Sequence, residues 1–201
     1  MIIGICGFQS SSKDTIGDLL VNKYCFKKLS FAAVIKDILS IMFGWSRDKL
    51  EGLTEEDRKW REQIDPWWAK TLDMPQLTPR YVLQYFGTDL FRKHWHPDIW
   101  VKVVESQLNK YENIVITDCR FENEINLIRQ YGGKLIHIYR KLPSWFNDYK
   151  AGKDSIEAIQ LHPSETSWIR QHFDYEINNN GTIIELHNKI SDIIFRCHNH
   201  F

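Results

Sequence analysis

The sequence predicts an α/β domain, a parallel, doubly wound sheet of about five strands covered on both faces. Short apolar runs recur along the chain, as in Met1–Cys6 and Asn113–Asp118. Each is followed by a segment whose apolar residues repeat at helical spacing. Strands alternating with helices call for parallel pairing with helices on both faces. The 201 residues amount to one domain's worth of chain, long enough to bury a sizeable core.

Taken in order, Met1–Cys6 is the first strand, and Ile16, Leu19 and Leu20 mark the helix after it. Phe26–Phe31 reads as a short second strand, and residues 32–43 as an amphipathic helix closed by Gly44. Residues 45–77 are charged, Trp-rich and short of strand signals, so they form an insertion outside the sheet. Within it, Thr54 caps a helix running to about Trp68, and Trp60, Trp67 and Trp68 pack this piece onto the body. Thr78-Pro79 starts a further helix with a stripe of Leu83, Phe86 and Leu90, and another begins near Pro97-Asp98. Asn113–Asp118 is a buried strand, and the helix after it is stopped by Gly132-Gly133. Lys134–Tyr139 is the next strand, residues 141–173 read as loop, and Tyr175–Asn178 is the last strand before a closing helix.

Hydrophobic residues make up 43% of the chain and charged ones 26%, and the net charge is zero. That balance speaks against a broad nucleic-acid or membrane surface acting by charge. No apolar run reaches membrane-spanning length, and Lys13 and Asp14 follow the apolar start too soon for a leader, so the expectation is a cytoplasmic protein. Cys6, Cys25, Cys119 and Cys197 contain no C-x-x-C pair and suit a reducing compartment. His94 with His96, and Cys197 with His198 and His200, fall short of a four-ligand metal site and read as surface or packing residues.

The chemistry concentrates in Gly7-Phe8-Gln9-Ser10-Ser11-Ser12-Lys13-Asp14-Thr15, set between a strand and a helix. A phosphate-cradling P-loop needs this context: its backbone N–H groups face the phosphates, and the helix N-terminus adds partial positive charge. Lys13 then reaches the β- and γ-phosphates. The pattern departs from G-x-x-x-x-G-K-[ST] twice. Ser12 stands at the second Gly, and Asp14 stands where a magnesium-binding hydroxyl is usual. Asp14 is a hard-oxygen ligand suited to Mg²⁺, with Thr15 beside it. Because ligands of such sheets sit at the carboxyl ends of the strands, Ser30, Asp118–Arg120, Arg140 and Asn178–Asn180 gather along the same edge as the P-loop.

Several blocks in this order resemble the deoxynucleoside monophosphate kinases of bacteriophages and large DNA viruses. They are Ser11–Thr15, Phe31-Ala32 with Lys36-Asp37, Pro79-Arg80 through Leu83-Gln84 and Gly87-Thr88-Asp89 to Arg92 and Trp100, Asp118-Cys119-Arg120 with Asn123-Glu124, His162–Glu165, and Ile177–Gly181. The resemblance implies transfer of a phosphoryl group from ATP to a deoxynucleoside monophosphate, with Mg²⁺ at Asp14 and Thr15. It implies a P-loop kinase fold whose insert holds residues 45–77 and whose lid holds 141–173, and it allows a homodimer. Lys13 and Arg120 take the catalytic roles. Gly7, Ser10, Ser11, Ser12, Asp14, Thr15, Arg140 and Asn179 bind ATP. Lys36, Glu51, Arg80, Gln84, Gly87, Thr88, Arg92, Trp100, Asp118, Arg120 and Glu124 bind the acceptor. A kinase of another small metabolite and a catalytically impaired nucleotide-binding regulator are the alternatives.

Overall fold

The computed structural model describes residues 1–198. His200 and the side chain of His198, named above beside Cys197, lie outside the described residues. Five strands form one parallel sheet: β1 (Ile2–Cys6), β2 (Lys27–Leu29), β3 (Ile114–Ile116), β4 (Lys134–Tyr139) and β5 (Tyr175–Asn178), in the order β2-β3-β1-β4-β5. The central β1 pairs Ile3 with Val115 on one side and with Lys134 on the other. Ile3, Ile5, Val115, Ile136, Ile138 and Ile177 face a core closed by α1 (Lys13–Tyr24) and α13 (Ile183–His198), which bring Ile16, Leu20, Leu186, Ile190 and Ile194. Fully burying each such side chain contributes about 1.5–3 kcal/mol. The opposite face of β1 carries Gly4, where a Cβ would collide with Ile128 of α9 (Glu122–Gln130). That glycine lets the helix sit directly on the strand.

The chain divides into two compact units: a sheet unit of Met1–Phe31 with Val104–Phe201, and a helical unit of Ala32–Val103. The helical unit contains α2 (Ala33–Phe43), α3 (Arg47–Glu51), α4 (Glu55–Glu62), α5 (Pro66–Thr71) and α6 (Pro79–Gln84). A π-helical turn (Tyr85–Leu90) then leads into α7 (Phe91–His94), and α8 (Ile99–Leu108) begins in this unit. Its core is Ile35, Leu39, Trp45, Leu50, Leu77, Val82 and Trp100. The unit is wider than the 45–77 insertion read from sequence.

Three local expectations are corrected. The single helix expected from Thr54 to about Trp68 is two helices, because Asp65 caps and Pro66 starts α5, breaking the run after Glu62. Trp60 and Trp68 do pack, inside the helical unit, but Trp67 is exposed. The segment 141–173, read as loop, holds α10 (Phe146–Lys150), α11 (Ile156–Ile159) and α12 (Pro163–Thr166). Helices of four or five residues are too short to display a period in sequence.

Candidate active site

The loop after β1 turns into α1 through left-handed backbone at Ser10 (φ 62°) and Ser12 (φ 80°). Gly7 is required here, since a Cβ would strike the Ile138 carbonyl oxygen and approach Ser11 Oγ to 2.8 Å. Ser12 therefore adopts the conformation that the usual second glycine would supply, at a cost of about 1–2 kcal/mol. Its hydroxyl accepts a 3.0 Å hydrogen bond from Arg140 Nη2. The buried Asn179, just after β5, donates through Nδ2 to Ser11 O at 3.2 Å. Ser11 Oγ is itself buried and unpartnered. Two segments distant in sequence thus hold the loop's shape.

Lys13 Nζ donates to Gly7 O (2.9 Å) and Phe8 O (2.7 Å), lying across the mouth of its own loop. Burial pushes this ammonium down to about 8, and the Arg120 charge adds to the effect, while Asp14 and Glu165 pull the other way. Lys13 and a second cation feel each other's charge, and the Glu165 carboxylate acts on both. Arg120 is the second: its Nη1 donates to Glu165 Oε1 (2.5 Å) and Ser164 O (3.3 Å). The buried Glu124 does not present its carboxylate to the outside; Oε2 accepts the backbone N–H groups of Arg120 (2.7 Å) and Phe121 (3.1 Å) and so sets the backbone at Arg120. Asp118 accepts from Ser30 Oγ (2.7 Å) and Phe31 N (3.2 Å), joining the ends of β3 and β2.

Asp14 Oδ1 accepts from Lys28 Nζ (2.9 Å) and from Thr117 Oγ1 (3.0 Å). Burial pushes the Asp14 carboxyl up, but these hydrogen bonds and the Lys28 and Lys13 charges more than offset it and hold the group below the usual carboxylate range. An ionised carboxylate with Oδ2 outside both contacts, beside the exposed Thr15 hydroxyl, suits Mg²⁺, which takes one or two protein oxygens and completes its shell with phosphate and water. Lys28 and Thr117 were not singled out in the sequence. A Lys on an edge strand and a Thr in an apolar run carry no motif there.

The helical unit places the acceptor candidates. Lys36 Nζ donates to Glu51 Oε1 at 2.6 Å, and Arg47 bridges Glu51 Oε2 and Asp37 Oδ1, each at 2.6 Å. Burial works against the Glu51 charge, but Lys36 and Arg47 prevail and keep it ionised. Gly87 and Thr88 lie on the π-helical turn, whose register shift frees backbone groups. Gly87 O accepts from Trp100 Nε1 at 2.9 Å. Trp100 is 2% exposed, so it belongs to the core and acts on its surroundings through that carbonyl. Arg80 Nε lies 3.9 Å from Glu62, and Arg92 Nη1 donates to Pro97 O at 3.4 Å. Gln84 closes α6 half-buried. The sequence-predicted residues thus fall into two groups, one around the P-loop in the sheet unit and one along α2, α3 and α6 to α8 in the helical unit.

Known proteins resemble this chain in fold and in sequence. The chain is 17% identical to the shikimate kinase of Aquifex aeolicus, with a TM-score of 0.50, covering 100% of this chain and 98% of that one, a likeness of fold. A protein of Acanthamoeba polyphaga mimivirus is 29% identical over 94% of both chains. The deoxynucleoside-5'-monophosphate kinase of Escherichia phage T5 is 23% identical over 89% of both. The model of the family described as deoxynucleotide monophosphate kinase matches residues 58–190. The chain belongs to the deoxynucleotide monophosphate kinase family.

Proposed function

We propose that this chain transfers the γ-phosphoryl group of ATP to a deoxynucleoside monophosphate, giving a deoxynucleoside diphosphate and ADP. The observation that carries the reading is Lys13 folded across a P-loop beside Arg120, in a chain of this family. Phosphoryl transfer asks the protein for positioning and charge neutralisation more than for covalent chemistry. Lys13 exchanges the Gly7 and Phe8 carbonyls for β- and γ-phosphate oxygens, which restores the ammonium that burial had weakened. The loop amides from Ser10 to Thr15 cradle the phosphates, with Arg140 and Asn179 fixing that loop. Arg120, aimed by Glu124, stabilises charge on the transferred group. Asp14 and Thr15 would hold Mg²⁺ or its waters, and the ion would supply charge neutralisation to the transferred group.

Lys36, Glu51, Arg80, Gln84, Gly87, Thr88 and Arg92 bind the acceptor, Trp100 shapes the Gly87 carbonyl, and Asp118 holds the strand ends behind Arg120. The insert, residues 45–77, serves to cover the monophosphate, and residues 141–173 serve as a lid; each excludes water, which would otherwise accept the phosphoryl group. A coupled ADP-release assay with ATP, Mg²⁺ and each deoxynucleoside monophosphate in turn, with ribonucleotides as controls, tests the proposal. Turnover is expected with one or a few deoxynucleotides. Lys13→Ala is expected to lower kcat by about 10²–10³, the effect of losing a preorganised charge contact. Wild-type-like turnover in that variant sinks the P-loop assignment.

A further inference from the structure

Gly17 lies inside α1, where a glycine weakens a helix and calls for a packing reason. A Cβ at this position would come within 2.6 Å of Thr117 Cγ2 and 3.4 Å of Lys28 Cε. The missing side chain therefore opens a seat against α1 for Lys28 of β2 and for Thr117, which follows β3. Both use that seat to reach one atom. Lys28 Nζ donates to Asp14 Oδ1 at 2.9 Å, and Thr117 Oγ1 donates to the same oxygen at 3.0 Å. Lys28 is steadied in turn by Asp18, one turn further along α1, whose Oδ1 accepts at 3.3 Å.

Three segments distant in sequence converge on half of a carboxylate. Neither donor touches Oδ2, and the Asp14 side chain is 59% exposed. An ion pair at the surface contributes little by itself and does not call for a buried hydroxyl on the same oxygen. What the two donors accomplish together is to fix which oxygen faces outward. Divalent ions differ in how they respond to that constraint. Mg²⁺ demands a near-ideal octahedron, which has no room for the narrow bite of a carboxylate closing with both oxygens, whereas the larger, looser shell of Ca²⁺ accepts one oxygen or both.

We propose that Lys28 and Thr117 are positioning residues that restrict Asp14 to binding through one oxygen and so set a preference for Mg²⁺ over Ca²⁺. The inference rests on the reading of Asp14 as a metal ligand given above, and it adds the residues that decide which metal is taken. With Oδ1 held by two donors, a Ca²⁺ shell loses an oxygen that it would otherwise recruit. A Mg²⁺ shell loses nothing.

Calorimetric titration of ATP, without acceptor, in EDTA, in Mg²⁺ and in Ca²⁺ tests this. Wild type is expected to bind ATP more tightly with Mg²⁺ than with Ca²⁺. The double variant Lys28→Met, Thr117→Val should reduce that preference by about tenfold, the effect of stripping a metal-binding group of its hydrogen-bonding partners. Loss of the lysine charge acts on both divalent ions alike, so the ratio of the two affinities reports orientation. Lys28→Arg keeps a charged donor and should keep most of the preference. Lys28→Met and Thr117→Val should each give part of the drop, which keeps the test readable should the double variant melt early. If the preference is absent in wild type, or survives in these variants while Asp14→Asn abolishes the effect of metal, Lys28 and Thr117 only support the fold and the inference falls. If Asp14→Asn leaves the effect of metal intact, the reading of Asp14 as a ligand fails and takes the inference with it.

Discussion

Ser12 shows how one residue can depart from a motif without abolishing the geometry it serves. The loop needs left-handed backbone where α1 begins, and Ser12 supplies it at φ 80° and ψ 29°. The strain is about 1–2 kcal/mol, set against a part-exposed hydrogen bond from Arg140 worth about 0.5–1.5 kcal/mol. Ser12→Gly is therefore expected to leave unfolding stability within about 1 kcal/mol of wild type and to keep or improve ATP affinity. Chemical denaturation and ATP titration read the two quantities. A collapse of ATP binding would mean that the hydroxyl holding Arg140 is indispensable. Ser12→Ala, which keeps the strain and loses the hydroxyl, separates the two contributions.

Among the elements, α5 depends on one side chain. Asp65 Oδ1 accepts the backbone N–H groups of Trp67 (3.1 Å) and Trp68 (3.0 Å), and Oδ2 accepts the Trp45 indole N–H at 2.8 Å. Trp45 is buried in the helical core and stacks on Phe43. Asp65→Ala removes a cap worth about 1 kcal/mol and leaves a buried indole donor unpaired for about 1–3 kcal/mol more. The expected loss is about 2–4 kcal/mol in denaturant unfolding, with Asp65→Asn recovering much of it. A loss below about 0.5 kcal/mol would show that water or another oxygen replaces the carboxylate. The same logic explains Arg120 and Glu124. A helix-borne carboxylate beneath a strand end fixes the backbone from which the functional side chain projects.

For the molecule as a whole, acid stability turns on His137 in β4. Its ring packs among Phe146, Trp168 and Phe173 at 5.1 to 5.6 Å between centroids, and neither nitrogen has a hydrogen-bond partner. Burial lowers its pKa to about 4, against the attraction of Glu176 and with the help of Lys150. Below the unfolded value near 6.5 the unfolded chain binds the proton more readily, so stability is fully present above about pH 6.5 and is lost as pH falls toward 4. At 1.36 kcal/mol per unit, the loss from this group approaches about 3 kcal/mol. His137→Leu should flatten the acid limb of a stability profile by that amount; parallel profiles would refute the assignment. The consequence reaches the P-loop, because Phe8 packs edge-on against Phe146 and Trp168 in the same aromatic cluster.

The sequence by itself determined the alternation of strands and helices, and with it a parallel sheet whose strand ends bring Lys13, Asp118–Arg120, Arg140 and Asn179 to one edge. Those features are local, carried by apolar period, glycine turns and the strand-loop-helix context of a motif. Lys36 and Glu51 stood in the sequence only as separate acceptor candidates, and their pairing was decided by the fold. Only the tertiary structure decided that Lys28 and Thr117 hold Asp14, that Glu124 faces inward onto backbone amides, and that Trp100 is core. These depend on which side chains meet across tens of residues and on which of them lose water in doing so. Neither spacing nor composition records burial.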